Sequence, residues 1–245
     1  MSAENARQRW SLLARRLASA SCIGPRVAQR LTYSAGMVGF IILAGLLLLA
    51  LFPGAVAPYD PTETVGRPLQ RPSTQFWLGT NDIGQDLLSE LIWGTRASLS
   101  VGLLVGFLSV VIGTVVGLVA GYTSGMSSAV LMRLTDLTLV LPFLPLVILL
   151  SAYLGPSQRN VILVLAIVSW AVPARLIRSR VLSLLGEPYI AAAEAVGCTR
   201  QRILGSHIWP GVRFLALVQF MLVASAAILA EASLSFLGIG IKPPG

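Results

Sequence analysis

The run 101–121, "VGLLVGFLSVVIGTVVGLVAG", decides the fold. It carries no charged residue, and a helix that crosses a bilayer needs about 20 mostly apolar residues. Small residues recur in it at Gly102, Gly106, Gly113, Gly117 and Gly121, so that three steps place two small residues four apart. Such steps let helix backbones approach closely in lipid. Glycine is also merely tolerated in membrane helices, and spacing alone leaves both readings open.

Working outward, the sequence shows five apolar runs, at about 33–52, 98–122, 134–154, 160–174 and 214–238. The fourth is short and is expected to continue past Arg175, whose head can snorkel. The chain is 55% hydrophobic and 11% charged, where a soluble domain carries about a quarter charged residues. The expectation is an all-α integral membrane protein.

A net charge of +8 raises nucleic acid as a partner, but the arginines are sorted by segment. Arg7, Arg9, Arg15, Arg16, Arg26 and Arg30 stand in the N-terminal tail against Glu4 alone. Arg175, Arg178, Arg180, Arg200, Arg202 and Arg213 stand after the fourth run against Glu187 and Glu194. The segment after the first run instead holds Asp60, Glu63, Asp82, Asp86 and Glu90 against Arg67, Arg71 and Arg96. Positive charge collects on the cytoplasmic side of membrane proteins. This sorting predicts no nucleic-acid partner, an inner tail, an outer 53–97 segment and an inner 175–213 segment. Cys22 and Cys198 then both lie inside, where no disulfide is expected. Ala55-Val56-Ala57 imitates a signal-peptidase site, yet the basic region before the apolar run is too long for a signal peptide, which favours an uncleaved anchor.

The organisation expected is a basic cytoplasmic tail at 1–32, a first transmembrane helix at 33–52, an extracytoplasmic loop at 53–97 and a helical core at 98–245. Trp10, Leu13 and Leu17 share one side of the tail and suit a helix on the membrane surface; a solvated tail is the alternative. In the 53–97 loop, Asn81 or Asp82 is positioned to cap a helix beginning near Ile83. Leu87, Leu88, Leu91 and Ile92 would give that helix an interfacial stripe, with Trp77 and Trp93 as headgroup anchors. Asp82 and Asp86 suggest a cation pair, against a solvated turn and cap.

The chain lacks the parts of a phosphate-binding loop: its one lysine, Lys242, lies between Ile241 and Pro243. No GxSxG or HExxH occurs, and a single histidine gives no metal-ligand spacing. "GYTSG" at 121–125 offers only a weak hint of an intramembrane serine enzyme. Acids inside membrane spans are costly and mark functional candidates. Asp136 has Arg133 one turn earlier, which predicts a local ion pair. Glu231 follows a long uncharged run and is expected to face protein or water, either along a path or as a hydrogen-bonding group.

The remaining polar stretch, "GEPYIAAAEAVGCTRQRILGSHIWPG" at 186–211, reads as two short helices. Glu187-Pro188 suits a helix start, "YIAAAEAV" a helix body, and Gly197 a stop. Thr199 is placed to cap a second helix that ends before Pro210. The first helix is too short to stand alone in water. Tyr189, Ala192, Ala193 and Val196 give it one packing face, with Glu187, Ala191 and Glu194 roughly in line elsewhere. It docks either on its own spans or on a separate cytoplasmic protein.

That stretch resembles the cytoplasmic EAA loop of ABC-importer permeases: Ala191-Ala192-Ala193, then Gly197, then Ile208-Trp209-Pro210. "WLGTNDIGQDLLSELIWGTRASL" at 77–99 and "EASLSFLGIGIKPPG" at 231–245 are similar to the dipeptide, oligopeptide and nickel branch of that family. The resemblance implies a type I ABC-importer transmembrane domain in the bacterial inner membrane. It implies a second homologous permease, one or two ATPase subunits that carry the ATP and magnesium, and an extracytoplasmic solute-binding protein. No cofactor is expected on this chain. Glu187, Tyr189, Ala191, Ala192, Ala193, Glu194, Gly197 and Pro210 would couple to the ATPase. Asp136 and Glu231 would be path candidates, and Gly79, Thr80, Asp82, Gly84 and Asp86 would form an outer loop motif. The family's leading glutamate is Ala191 here, so Glu187 or Glu194 is expected to supply the charge. Members usually have six spans, so the expectation is a sixth that either follows "KPPG" or is missing from this copy. A passive channel, a secondary transporter and an anchored assembly protein are the other readings.

Overall fold

The computed structural model describes residues 25–155 and 157–238, with side chains from residue 36 onward. The expected surface helix around Trp10, Leu13 and Leu17 lies outside these residues. Contacts divide the chain into two units, residues 1–51 and 52–245. The first contributes one apolar helix, α1 (Pro25–Leu51), which starts well before the expected boundary at residue 33. Pro25 opens it, as proline suits a first helical position.

The second unit is all-helical among the described residues apart from one isolated bridge, between Thr80 and Asp86. A one-turn helix α2 (Pro53–Val56) leads into a folded loop. Then come α3 (Leu87–Tyr122), α4 (Met126–Val140), α5 (Phe143–Leu154), α6 (Gln158–Ser169) and α7 (Ala171–Leu185). The chain continues through α8 (Pro188–Ala195), α9 (Arg200–Ile203), a π turn at Leu204–Ile208 and α10 (Trp209–Phe236).

The glycines of the opening run make α3 the axis of this unit. At about 100° per residue the five lie along one side of the helix, and at different heights they meet different partners. A Cβ on Gly102 would lie 2.7 Å from Ile228 Cγ1 on α10. A Cβ on Gly117 would lie 2.7 Å from Ala174 O, and one on Gly121 would lie 2.7 Å from Val181 Cβ, both on α7. The close-approach reading therefore holds: any larger residue at these positions would drive the helices apart. Two buried clusters fill the space around this stripe. Val101, Val105, Val147, Leu165 and Leu234 join α3, α5, α6 and α10. Ile177, Val181, Ile190, Ile203 and Ile208 join α7 to the segment after it.

Three helical stretches are long and apolar enough to cross a membrane: Leu87–Tyr122, Gln158–Leu185 and Arg200–Phe236. The fourth apolar run does continue past Arg175, to Leu185. The second run is longer than expected, because the supposed interfacial helix is not separate. Leu87, Leu88, Leu91 and Ile92 belong to the first turns of α3. The third run is not one straight span. It bends by 90° between α4 and α5. Leu141 precedes a proline and is pushed out of helical geometry (φ −70°, ψ 133°), and Pro142 then starts α5.

Candidate functional site

The segment between α7 and α10 folds as a short helix held by one edge. Pro188 takes the first turn of α8, and Glu187 stands at its N-cap without a side-chain capping bond. Its eight residues span about 12 Å. The helix ends where the sequence predicts. Gly197 adopts φ +85°. Its N–H bonds Glu194 O at 2.9 Å, and Cys198 N–H bonds Ala193 O at 3.1 Å, the paired bonds that close a helix through a left-handed glycine.

The anchor of α8 is Ile190, 1% exposed and packed with Leu184, Ile203 and Ile208. Ile190 lies outside the expected face, so the chain's own helices meet a different edge of α8. Of Tyr189, Ala192, Ala193 and Val196, only Ala193 is half-buried; the others are exposed, Val196 at 86%. The Tyr189 ring lies 6.3 Å from that of His207. The reason is direction: Ile190 points into the cluster of Leu184, Ile203 and Ile208, while the larger Tyr189 beside it points outward. Both dockings are then available, because the Ile190 edge meets the chain's own helices while the opposite side stays open. Glu187, Ala191 and Glu194 are all exposed.

The second predicted helix does not stop before Pro210. Thr199 does stand at its N-cap, without a side-chain bond. From Arg200 the backbone runs unbroken into α10, with Pro210 in the first turn of that helix. The π turn makes this possible. Trp209 N–H bonds Leu204 O, five residues back. Widening the helix just before a proline relieves the clash of its ring with the carbonyl four residues earlier. The segment that carries α8 is thus continuous with a 37-residue rod, Arg200–Phe236. Gly211 lies beneath Leu184 of α7, where a Cβ would meet Leu184 Cδ1 at 2.8 Å.

The motif at 79–86 builds a closed loop. Gly79 (φ +82°) and Gly84 (φ +85°) take conformations that favour glycine, and a Cβ on either would lie 2.3 Å from a carbonyl oxygen, Gln70 O and Gly66 O respectively. Thr80 is buried; its Oγ1 donates to Arg67 O at 2.6 Å and accepts Gln70 N–H at 2.9 Å. The cap expectation is corrected here. Asn81 Oδ1 accepts from Ile83 N and Gln85 N and so makes a turn. The helix starts at Leu87, capped by Asp86, whose Oδ2 accepts Ser89 N–H at 2.9 Å and Ser89 Oγ at 2.7 Å. Asp86 is 1% exposed and committed to that cap, while Asp82 points into solvent, so the two do not pair. Further along, the Thr62 hydroxyl and amide hold the Asp60 carboxyl below its ordinary pKa.

The two acids within the helical core find partners far away in sequence. Asp136 on α4 pairs with Arg175 on α7, not with Arg133. Arg133 is exposed one turn away, and the α4–α7 packing brings Arg175 closer. Glu231 on α10 is 7% exposed. Its Oε1 accepts the Ser235 hydroxyl at 2.7 Å and its Oε2 that of Ser98 on α3 at 3.5 Å. Two residues along α3 from Ser98, Ser100 Oγ accepts from Gln158 on α6 at 2.6 Å. Of the two path candidates, Asp136 is half-exposed and Glu231 is buried between helices.

Residues 113–244, which include α7–α10, match the family described as the binding-protein-dependent transport system inner membrane component. The chain is 37% identical over 209 residues to the dipeptide transport system permease protein DppC of Alkalihalophilus pseudofirmus, covering 85% of this chain and 69% of that one. It is 42% identical over 215 residues to the dipeptide transport system permease protein DppC of Escherichia coli K12, covering 85% and 72%. It is 33% identical over 209 residues to the oligopeptide transport system permease protein OppC of Bacillus subtilis 168, covering 85% and 68%. With its spanning helices and the α7–α10 segment, the chain belongs to the family of binding-protein-dependent transport system inner membrane components, as a multi-pass permease subunit.

Proposed function

We propose that this chain is one half of the translocation path of an ATP-driven importer for dipeptides or oligopeptides. A second homologous permease supplies the other half. One or two separate ATPase subunits bind ATP and magnesium, an extracytoplasmic solute-binding protein delivers the cargo, and this chain performs no bond chemistry. The names of relatives at 33–42% identity, dipeptide and oligopeptide permeases, support peptides as the cargo. The sorted arginines support a cytoplasmic N-terminus and a cytoplasmic 186–211 segment in the bacterial inner membrane.

The observation that carries the reading is the one-edged docking of α8. A helix of this length is marginal alone. Ile190 pins it to the permease, and its exposed side offers small residues and two carboxylates to a groove on another protein. ATP-driven motion of that groove would move α8, and the unbroken Arg200–Phe236 rod would carry the motion into the spans. Glu187 and Glu194, on the side of α8 that carries Ala191, supply the charge that the family places at that position. The test is a complex of permease, ATPase and binding protein reconstituted in liposomes. Reversing both charges (Glu187→Lys with Glu194→Lys) should cut substrate-stimulated ATPase activity and leave membrane insertion intact. Unchanged coupling would remove the two glutamates from the contact. Purification without any ATPase subunit would remove the importer reading itself.

A further inference from the structure

We propose that Pro210 is a positioning residue of the coupling segment: by excluding the straight α register it holds the π turn at Leu204–Ile208, and that turn sets the seat and the angle of α8; this rests on the reading of α8 as the contact with an ATPase. Between Arg200 and Ala216 the buried side chains are Ile203, Ile208, Val212 and Ala216, all in the cluster that also holds Leu184 and Ile190. They stand five, four and four residues apart. Steps of four keep side chains on one side of an α-helix. A step of five does not: at about 100° per residue it would turn Ile203 about 140° away from Ile208.

The five-residue step coincides with the π turn. A bond to the fifth residue back closes a turn that holds one residue more than an α turn does. Residues five apart across it therefore face the same way, as residues four apart do in the rest of the rod. The closing bond runs from Trp209 N–H to Leu204 O, and Ile203 and Ile208 are 1% and 0% exposed. The turn also contains a residue that packs on nothing: Gly205 is exposed, and a Cβ there would meet no atom within 4 Å. Pro210 keeps the turn wide. In the straight register its ring would press on Ser206 O, four residues back, and it has no N–H to bond that oxygen. Packing of the isoleucines favours the wide register, and the proline removes its competitor. The α8 helix is tied to this line of side chains through Ile190, so the extra residue decides the angle at which α8 meets its partner.

The experiment uses the full complex in liposomes, with Cys22→Ser and Cys198→Ala in this chain and spin labels on cysteines placed at Val196 and Leu217, both exposed. The readouts are the distance between the labels and the ratio of substrate-stimulated to basal ATPase activity. Pro210→Ala supplies an N–H for Ser206 O, and one regained backbone hydrogen bond moves a balance between two registers by about fivefold. It should add a second distance population and lower the ATPase ratio by a similar factor. Deleting Gly205 with the proline in place should leave little folded complex, because the shortened helix has no wide turn to spare the ring. Deleting Gly205 together with Pro210→Ala should restore the parent distance and an ATPase ratio within about twofold of the parent, since four residues of α-helix then replace five of the π turn. A proline that only stiffens the segment would not be rescued by a deletion. A double variant that fails to fold or stays uncoupled would overturn the proposal, as would a Pro210→Ala variant with the parent's single distance and full coupling. The distance needs no turnover, so the expected distances without any stimulated activity in the parent would count against the importer reading alone.

Discussion

Replacing Ile190 with alanine tests whether one side chain holds the coupling helix. Ile190 is 1% exposed and packs with Leu184, Ile203 and Ile208. Truncating a buried isoleucine to alanine costs about 2–5 kcal/mol. The low end applies, because a helix at the surface relaxes around the gap more easily than a core does. About 2 kcal/mol still shifts the balance between docked and released α8 by roughly 30-fold. The intrinsic helix preference of α8 changes little, since alanine is the better helix former. The readout is twofold. Cys198 is half-buried at the end of the same segment, so its reaction with a maleimide should speed up in a Cys22→Ser background. Substrate-stimulated ATPase activity of the reconstituted complex should fall while basal ATPase activity persists. If neither the labelling rate nor the coupling changes, Ile190 is not the anchor and the one-edged docking is wrong.

Four further outcomes follow from particular contacts. Gly117→Val should abolish stable insertion, because its Cβ already lies 2.7 Å from Ala174 O, whereas Gly205→Ala, with nothing within 4 Å, should insert normally; quantitative membrane blots compare them. Gly84→Ala combines a positive φ with a 2.3 Å contact to Gly66 O and should open the 60–86 loop, seen as faster cleavage by an external protease. Asp86→Ala removes both bonds to Ser89 and should weaken the start of α3 by about 1 kcal/mol, a smaller rise in the same cleavage rate. Glu231→Gln keeps an acceptor for Ser235 and should retain transport, while Glu231→Ala should lower the yield of folded protein; a loss of transport in a stable Glu231→Gln complex would make the charge itself functional.

The apolar run at 101–121 was legible because hydropathy is summed along the chain, and no distant contact changes it. The glycines at 102, 106, 113, 117 and 121 announced close packing by their spacing, yet not which helix would arrive. Gly197 was legible as a stop because only the local backbone decides it. The cap at 79–90 was not. Asn81 and Asp86 are both good caps, and the choice falls to Asp86 because Thr80 bonds Arg67 and Gln70 while Gly84 packs under Gly66. The edge of α8 that docks on the chain's own helices was not legible for a related reason. In an alanine-rich helix several stripes look alike, and residues 184, 203 and 208 select Ile190.

By itself, then, the sequence determined a membrane-spanning helical chain, with a short helix on its polar segment that has to dock. Those features follow from composition and from backbone preferences within a few residues. Only the tertiary structure decided that Asp136 pairs with Arg175, that Glu231 is shared between α3 and α10, and that Pro210 continues a helix instead of ending one. The first two depend on which helix stands beside which, since a side chain takes the partner that packing brings within reach at any separation along the chain; the third depends on the π turn that widens the backbone ahead of the proline.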